Sequence, residues 1–173
     1  MNYLNLSIVI ISLLFFGCSN TNPNLNNVGQ DELKSLELER DLKKSDQQYK
    51  ETLYVPIYSD IYVDYANQSL LLSASLSIRN TSLNDSLFIS IIDYYDTNGK
   101  LVRNYIDKPI VLGPMATVNY VVEREDTAGG HGANFIVNLS SENGNIKPLV
   151  QAIMIGMSGN KGFSFLTDAY PIE

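Results

Sequence analysis

The chain has 173 residues, of which 45% are hydrophobic and 18% are charged. This composition is globular, and the length leaves room for one domain of ordinary size with a targeting segment and a linker. The formal net charge of -7 excludes nucleic acid as an expected partner, because such affinity comes mainly from Lys and Arg neutralising phosphates. The same acidity disfavours peripheral binding to anionic lipid headgroups, so a membrane attachment must be covalent or inserted.

The chain starts with an apolar segment that is followed by a cysteine. Residues 1–17 contain an apolar run from Leu6 to Phe16 that only two serines interrupt. The run is too short to span a bilayer, which takes about 20 apolar residues, and it is typical of a secretory signal peptide. Its end resembles a lipobox, with Gly17 directly before Cys18. We therefore predict that Cys18 is lipidated and that palmitate is among its acyl chains. The alternative is that the apolar segment is not cleaved and anchors the chain in the membrane, with an inert Cys18.

Lipidation of Cys18 would fix both the location and part of the chemistry of the mature protein. Each buried methylene is worth about 0.8 kcal/mol, so two or three acyl chains hold a protein essentially permanently at a membrane. We expect a bacterial cell-envelope lipoprotein, with the periplasmic face of the outer membrane as the favoured location. Cys18 is the only cysteine, so we expect neither a disulfide nor a cysteine-based metal or catalytic site.

Residues 18–51 are predicted to form a tether between the lipid and the folded domain. The first part is rich in Asn and contains Pro23 and Gly29, a composition that buries little apolar surface. Over residues 31–50 the charge density rises, and leucines recur at mixed helical spacings. This pattern predicts a short, weakly amphipathic helix. A solvated stalk, or docking of the leucines onto the domain or a partner, are the alternatives.

Residues 52–173 are predicted to form one all-β domain. Apolar residues alternate strictly with Ser or Arg in Leu72–Arg79, whereas Leu87–Asp96 is apolar on both faces and is expected at the centre of a sheet. The other expected strands are Leu53–Val63, Leu101–Tyr105, Thr117–Arg124, Asn134–Ser140, Leu149–Met157 and Phe163–Leu166. About eight short antiparallel strands separated by turn residues are typical of an immunoglobulin-like β-sandwich, with a small β-barrel as the alternative.

A hairpin turn is the strongest local prediction. Asn98 and Gly99 separate Leu87–Asp96 from Leu101–Tyr105, and an Asn-Gly pair supplies the positive φ values of a type I′ turn. Asp96, Asn98 and Gly99 also resemble part of a calcium loop, but the later Glu ligand is missing. The turn alone accounts for these residues.

Four blocks of the predicted domain follow one another in a characteristic order and spacing. They are Tyr54–Ser59, Leu76–Thr81, Asp93–Arg103 and Asp126–Phe135. These blocks resemble a bacterial domain-of-unknown-function family, labelled 3124, over nearly all of residues 54–166. The family has no established activity, so the resemblance implies common membership of a family but no substrate and no functional site.

The most distinctive stretch is Asp126–Gly132, in which Gly129, Gly130 and Gly132 surround His131. Glycines at this density either connect strands or turn backbone amides towards an anion or another ligand. No Gly-Lys-Ser/Thr follows, so this is not a Walker phosphate loop. A structural turn is the favoured interpretation, and a ligand-binding loop that includes Asp126 is the alternative.

Two ionisable residues are candidates for chemistry. His131 is the only histidine, and with Asp126 or Glu125 it forms a weak metal set, so we expect no metal and favour an exposed loop histidine. Asp93 lies in an otherwise apolar strand, and if it faces inward it needs Arg79, Arg103 or a backbone donor as partner. We expect a structural ion pair for Asp93. An envelope hydrolase or metal-assisted enzyme would need Asp93, Asp126 and His131 in one pocket.

Tyrosines recur along the first predicted strand. If Leu53–Val63 is one strand, Tyr54, Tyr58 and Tyr62 share a face and form an aromatic ladder. Such a face suits an envelope protein, a peptide or a glycan, unless residues 31–50 or a loop cover it. Since no convincing nucleophile and base pair is present, we expect a non-catalytic binding module without a cofactor. The hydrolase and a purely structural envelope protein are the alternatives.

Overall fold

A computed structural model of the chain describes residues 35–38, 46–62 and 69–172. These residues form two antiparallel β-sheets that pack against each other and are not closed into a barrel. The strands in chain order are β1 (Tyr49–Pro56), β2 (Asp60–Tyr62), β3 (Ser69–Arg79), β4 (Leu87–Tyr95), β5 (Leu101–Asn104), β6 (Ile110–Leu112), β7 (Thr117–Val122), β8 (Asn134–Ser141), β9 (Leu149–Ser158), β10 (Lys161–Asp168) and β11 (Tyr170–Pro171). The predicted all-β sandwich is confirmed.

The two sheets differ in the order of their strands. The first sheet has the order β11-β1-β8-β4-β5, and β6 pairs with the other part of β4. The second sheet has the order β10-β9-β3-β2, and β7 also pairs with β3. β4 therefore has paired strands on both sides, as predicted from the apolar residues on both of its faces.

The core lies between the sheets and follows from the period-two pattern of the strands. In β3 the side chains of Leu72, Ala74, Leu76 and Ile78 are fully buried, and the serines between them lie on the opposite face, where Ser77 is also buried. On the facing sheet the largest buried side chains are the rings of Tyr94 and Phe135, whose centroids lie 5.4 Å apart. Burial of these apolar side chains supplies the main driving force for folding.

The prediction of Leu53–Val63 as one continuous strand is wrong, because the described residues 53–62 belong to two strands in different sheets. β1 pairs with β8 in the first sheet as far as Pro56, and β2 pairs with β3 in the second. Between them the Ile57 N–H donates to the Ala133 carbonyl, and the Ser59 N–H donates to the Gly130 carbonyl, both at 3.0 Å. These bonds draw the chain across the end of the sandwich, so no continuous tyrosine ladder forms.

The hairpin between β4 and β5 is confirmed, but its turn is not of type I′. A type I′ turn needs positive φ at both central residues, and here Gly99 has φ +75° whereas Asn98 does not have positive φ. The loop spans residues 96–100, and the Asp96 carboxylate accepts the N–H groups of Asn98 and Lys100 at 2.9 and 2.8 Å. The Asp96 side chain thus organises a longer turn.

The predicted signal peptide, Cys18 and most of the predicted tether lie outside the described residues. Within residues 31–50, Glu37 forms an isolated β-bridge with Ile110, and Leu36 packs against the core. These residues support docking of leucines onto the domain, and β1 already begins at Tyr49 rather than at residue 52. None of the described segments forms a helix of the length and apolarity needed to cross a membrane.

Candidate functional site

The stretch Asp126–Gly132, here called the glycine loop, lies against the hairpin between β4 and β5. Thr97 in that hairpin holds the loop: its N–H and its hydroxyl both donate to the Gly129 carbonyl at 2.9 Å. The same hydroxyl accepts the N–H of Gly132 at 2.9 Å. Because the Gly132 N–H is already hydrogen-bonded inside the protein, it does not point towards a ligand, which supports a structural turn for this part of the loop.

The glycines are explained by the space around them. A Cβ atom on Gly129 would lie 1.9 Å from the Tyr94 hydroxyl and 2.7 Å from the Ala133 Cβ. Gly130 has φ +69°, a conformation that side chains other than that of glycine rarely adopt. Tyr94 is fully buried, and its hydroxyl forms a hydrogen bond of 3.0 Å with the Ser59 hydroxyl. Burial raises the pKa of Tyr94 and keeps it neutral.

The side chain of His131 projects from the glycine loop and contacts β2. Its Nδ1 lies 3.1 Å from Oδ1 of Asp60, and its Nε2 lies 3.4 Å from the Tyr62 hydroxyl. The rings of His131 and Tyr62 pack at a centroid distance of 4.8 Å with an interplanar angle of 52°. We call these three residues the Tyr62–His131 surface. It brings together one tyrosine of the predicted aromatic ladder and the histidine that was predicted to lie in an exposed loop.

The Tyr62–His131 surface is amphipathic and accessible. Tyr62 is 56% exposed, and the side chain of His131 is 45% exposed, whereas that of Asp60 is 19% exposed. Asp60 accepts from Nδ1 of the histidine and so orients the ring, and the contact of Nε2 with Tyr62 is long for a hydrogen bond. The surface therefore presents two ring faces together with polar groups that can bond to a partner.

Asp126 has a different partner and is not part of this surface. Its Oδ2 accepts from Nη2 of Arg103 at 2.9 Å, and its Oδ1 accepts the Ala128 N–H at 3.2 Å. Burial disfavours the charge of Arg103, but the Tyr105 hydroxyl and the Asp126 carboxylate outweigh this and raise the pKa of Arg103. An open cavity of about 480 Å³ lies beside the pair, lined also by Val121, Glu123 and Glu125.

Asp93 does not form the predicted ion pair with Arg79 or Arg103. Arg103 binds Asp126, and Nε of Arg79 donates to the Ser77 hydroxyl at 3.2 Å. Asp93 lies between the inward-facing Ile92 and Tyr94, so its side chain points out of the sandwich. Its Oδ1 is nevertheless buried without a hydrogen-bond partner, and this burial raises the pKa of Asp93, opposed by a hydrogen bond from Tyr95.

The remaining predicted residues lie apart from one another. Tyr54 is half-buried on β1, opposite Tyr170 of β11 and Ile136 of β8. Tyr58 is also half-buried, packs against the core, and has its ring 5.9 Å from that of Phe165. Tyr62 is thus the most accessible of the three tyrosines. Over the residues that the structure describes, no group of three or more His, Cys, Asp or Glu side chains is placed to hold a metal.

Sequence reasoning missed two residues that organise these contacts. Asp60 stands two positions before Tyr62, and residues at this spacing share a face of a strand, which is a local signal. Thr97 gives no comparable signal, because its partners Gly129 and Gly132 lie 32 and 35 positions further along the chain.

A comparison with protein families places the chain in a family of unknown function. A family model described as "Protein of unknown function (DUF3124)" matches residues 50–172. Comparison with curated proteins gives no match. The crystal structure of Thermotoga maritima 1070 is similar at 15% identity and a TM-score of 0.39, with 69% of this chain and 92% of that chain covered.

Proposed function

We propose that this chain, which belongs to the DUF3124 family of proteins of unknown function, is a lipid-anchored binding module of the bacterial cell envelope without catalytic activity. Its anchor is Cys18, which follows an apolar export segment. Its partner is an envelope protein or peptide, bound at the Tyr62–His131 surface. The periplasmic face of the outer membrane is the proposed location.

The observation that supports a binding role is the exposure of Tyr62 in a fixed position. Tyr62 is 56% exposed, yet its ring packs on His131, which is in turn held by Asp60. An amphipathic ring held in place before binding loses little conformational freedom on complex formation, which favours affinity. Tyrosines in such positions are common among residues that dominate interfaces.

A matched pair of tyrosine variants tests the binding surface. Tyr62→Ala should abolish the crosslinks that the full-length protein forms with its partner in membranes. Tyr170→Ala is the control, because Tyr170 is similarly exposed, at 60%, but lies in the other sheet. Loss of the same crosslinks in both variants, or in neither, would count against the Tyr62–His131 surface.

The anchor has its own test. Cys18→Ala should remove incorporation of labelled palmitate and release the protein from the membrane fraction. A protein that stays in the membrane without the label would favour an uncleaved N-terminal anchor over lipidation.

A hydrolytic enzyme is the alternative that these experiments must separate. The Asp60–His131 contact orients a histidine, which a general base also requires. However, Asp126 is bound to Arg103, and Asp93 faces away from the core of the sandwich. Hydrolysis by the purified full-length protein that His131→Gln abolishes would replace the binding proposal.

A further inference from the structure

β10 is an edge strand of the second sheet. Residues Lys161–Asp168 all pair with β9, in unbroken register with residues 151–158. Among the described strands, none pairs with the opposite side of β10. Alternate residues of an edge strand direct their backbone N–H and C=O groups outward, where they form a template for another strand.

The other edges of the two sheets are protected. β11 has two residues and includes Pro171, β2 has three, and the pairing of β5 with β4 has a register shift. β6 is covered at one side: the Val111 N–H donates to the Leu36 carbonyl, and the Leu38 N–H donates to the carbonyl of Pro109, the residue before β6, each at 2.9 Å. β7 runs directly into the charged residues 123–125. Short strands, proline, irregular pairing, covering segments and charges are the usual means of preventing edge pairing.

β10 carries charges only at its two ends, Lys161 and Asp168, and none of the described segments covers its outer edge with backbone hydrogen bonds. It has eight residues, and residues 162–167 contain neither a charge nor a proline. Phe163 and Phe165 pack against the core but remain only half-buried at this edge, and Leu166 is 55% exposed. A second strand at this edge would bond to the exposed backbone groups and cover the two phenylalanine rings.

We propose that the edge of β10 pairs in antiparallel orientation with β10 of a second copy of this chain. The charges of the strand favour this partner over an unrelated peptide: Lys161 begins β10 and Asp168 ends it. Antiparallel pairing of two identical strands brings the Lys161 end of each copy to the Asp168 end of the other. The same patch is used twice about a two-fold axis, as in most homodimers.

The side chains select one register for this dimer. With Ser164 opposite Ser164 of the second copy, Phe163 of each copy lies opposite Phe165 of the other, and Leu166 lies opposite Gly162. Cross-strand aromatic pairs stabilise antiparallel sheets, and no like charges face each other in this register. The two five-stranded sheets then join into one continuous sheet. The proposal does not depend on the Tyr62–His131 surface, which lies on other elements.

Cysteine crosslinking of the full-length protein in membranes tests the geometry. Ser164→Cys should form a covalent dimer on mild oxidation, because directly opposed residues of paired strands lie within the Cα distance that a disulfide requires. Ser75→Cys is the matched control, since Ser75 faces outward on β3 of the same sheet, with β9 between it and β10. The two copies of residue 75 would be about 24 Å apart, five strand spacings, and should not crosslink. Wild-type protein controls for Cys18.

A charge at the same position tests the energetics. Ser164→Lys places two lysines opposite each other and should raise the dimer dissociation constant by about fivefold, measured by sedimentation of the full-length protein in detergent. Ser75→Lys should leave it unchanged. Circular dichroism checks that both variants keep their strand content.

Four results would overturn the proposal. The first is a wild-type protein that stays monomeric in both membranes and detergent. The second is crosslinking of Ser75→Cys but not of Ser164→Cys, which would indicate face-to-face docking of the sheets. The third is crosslinking of Ser164→Cys only to a different protein, and the fourth is a Ser164→Lys dimer as tight as the wild-type one.

Discussion

Replacement of Gly129 by Ala should destabilise the whole domain, because the glycine loop has no space for one methyl group. The added Cβ would lie 1.9 Å from the Tyr94 hydroxyl and 2.7 Å from both its Cζ atom and the Ala133 Cβ. Forcing a methyl group into a packed region costs about 1–3 kcal/mol. If the Tyr94 hydroxyl then loses its bond to Ser59, an unpaired buried hydroxyl adds about 1–3 kcal/mol. With both contributions, we expect a loss of about 2–6 kcal/mol in the free energy of unfolding.

Urea unfolding followed by tyrosine fluorescence can measure this loss, since the chain has eleven tyrosines and no tryptophan. Gly113→Ala is the control, because nothing lies within 4 Å of its added Cβ, and its effect should stay within about 0.5 kcal/mol. Tyr94→Phe removes the closest atom, so Gly129→Ala should cost less in that background than in the wild type. Equal stability of Gly129→Ala and Gly113→Ala would refute the steric explanation of the glycine loop.

Three further changes test single contacts by the same unfolding assay. Asp93→Asn should stabilise the protein at pH 7, because burial raises the pKa of Asp93 and thus penalises its charged form; the gain should vanish as the pH falls towards the ordinary value of 3.8. A gain that persists at that pH contradicts this. Asn80→Asp should cost more than about 3 kcal/mol, since Nδ2 of Asn80 donates to three carbonyls and the residue is 2% exposed; a smaller cost would show that the site admits water. A double-mutant cycle of Arg103→Ala and Asp126→Ala should give a coupling below about 1 kcal/mol, because Arg103 is half exposed, and a larger coupling would refute solvent screening.

The strands could be predicted from the sequence where local alternation decides their structure. β3 alternates between apolar side chains and serines, and all four predicted apolar positions are buried, although Ser77 on the other face is buried as well. The break between β1 and β2 could not be predicted in this way. Ile57 and Ser59 continue the alternation of β1, but their N–H groups bond to Ala133 and Gly130, more than 70 positions away in the sequence. Long-range bonds of this kind override a local pattern.

The candidate site shows the same division between local and long-range signals. The density of glycines in the glycine loop is visible in the sequence, whereas the reason for Gly129 is the Tyr94 hydroxyl, which packing alone brings there. The sequence places His131 near Asp126, but the structure pairs it with Asp60, 71 positions earlier. The Asp126 carboxylate instead forms an ion pair with Arg103.

Separating structural from binding roles therefore requires two measurements on each variant. Gly129 leaves room for the Tyr94 hydroxyl, and Thr97 satisfies backbone groups of the glycine loop, so their replacement should lower stability first and partner capture only as a consequence. Tyr62 is largely exposed, so Tyr62→Ala should change stability little and should remove the partner directly. If partner capture instead followed stability across all variants, Tyr62 included, the Tyr62–His131 surface would be a structural contact between β2 and the glycine loop.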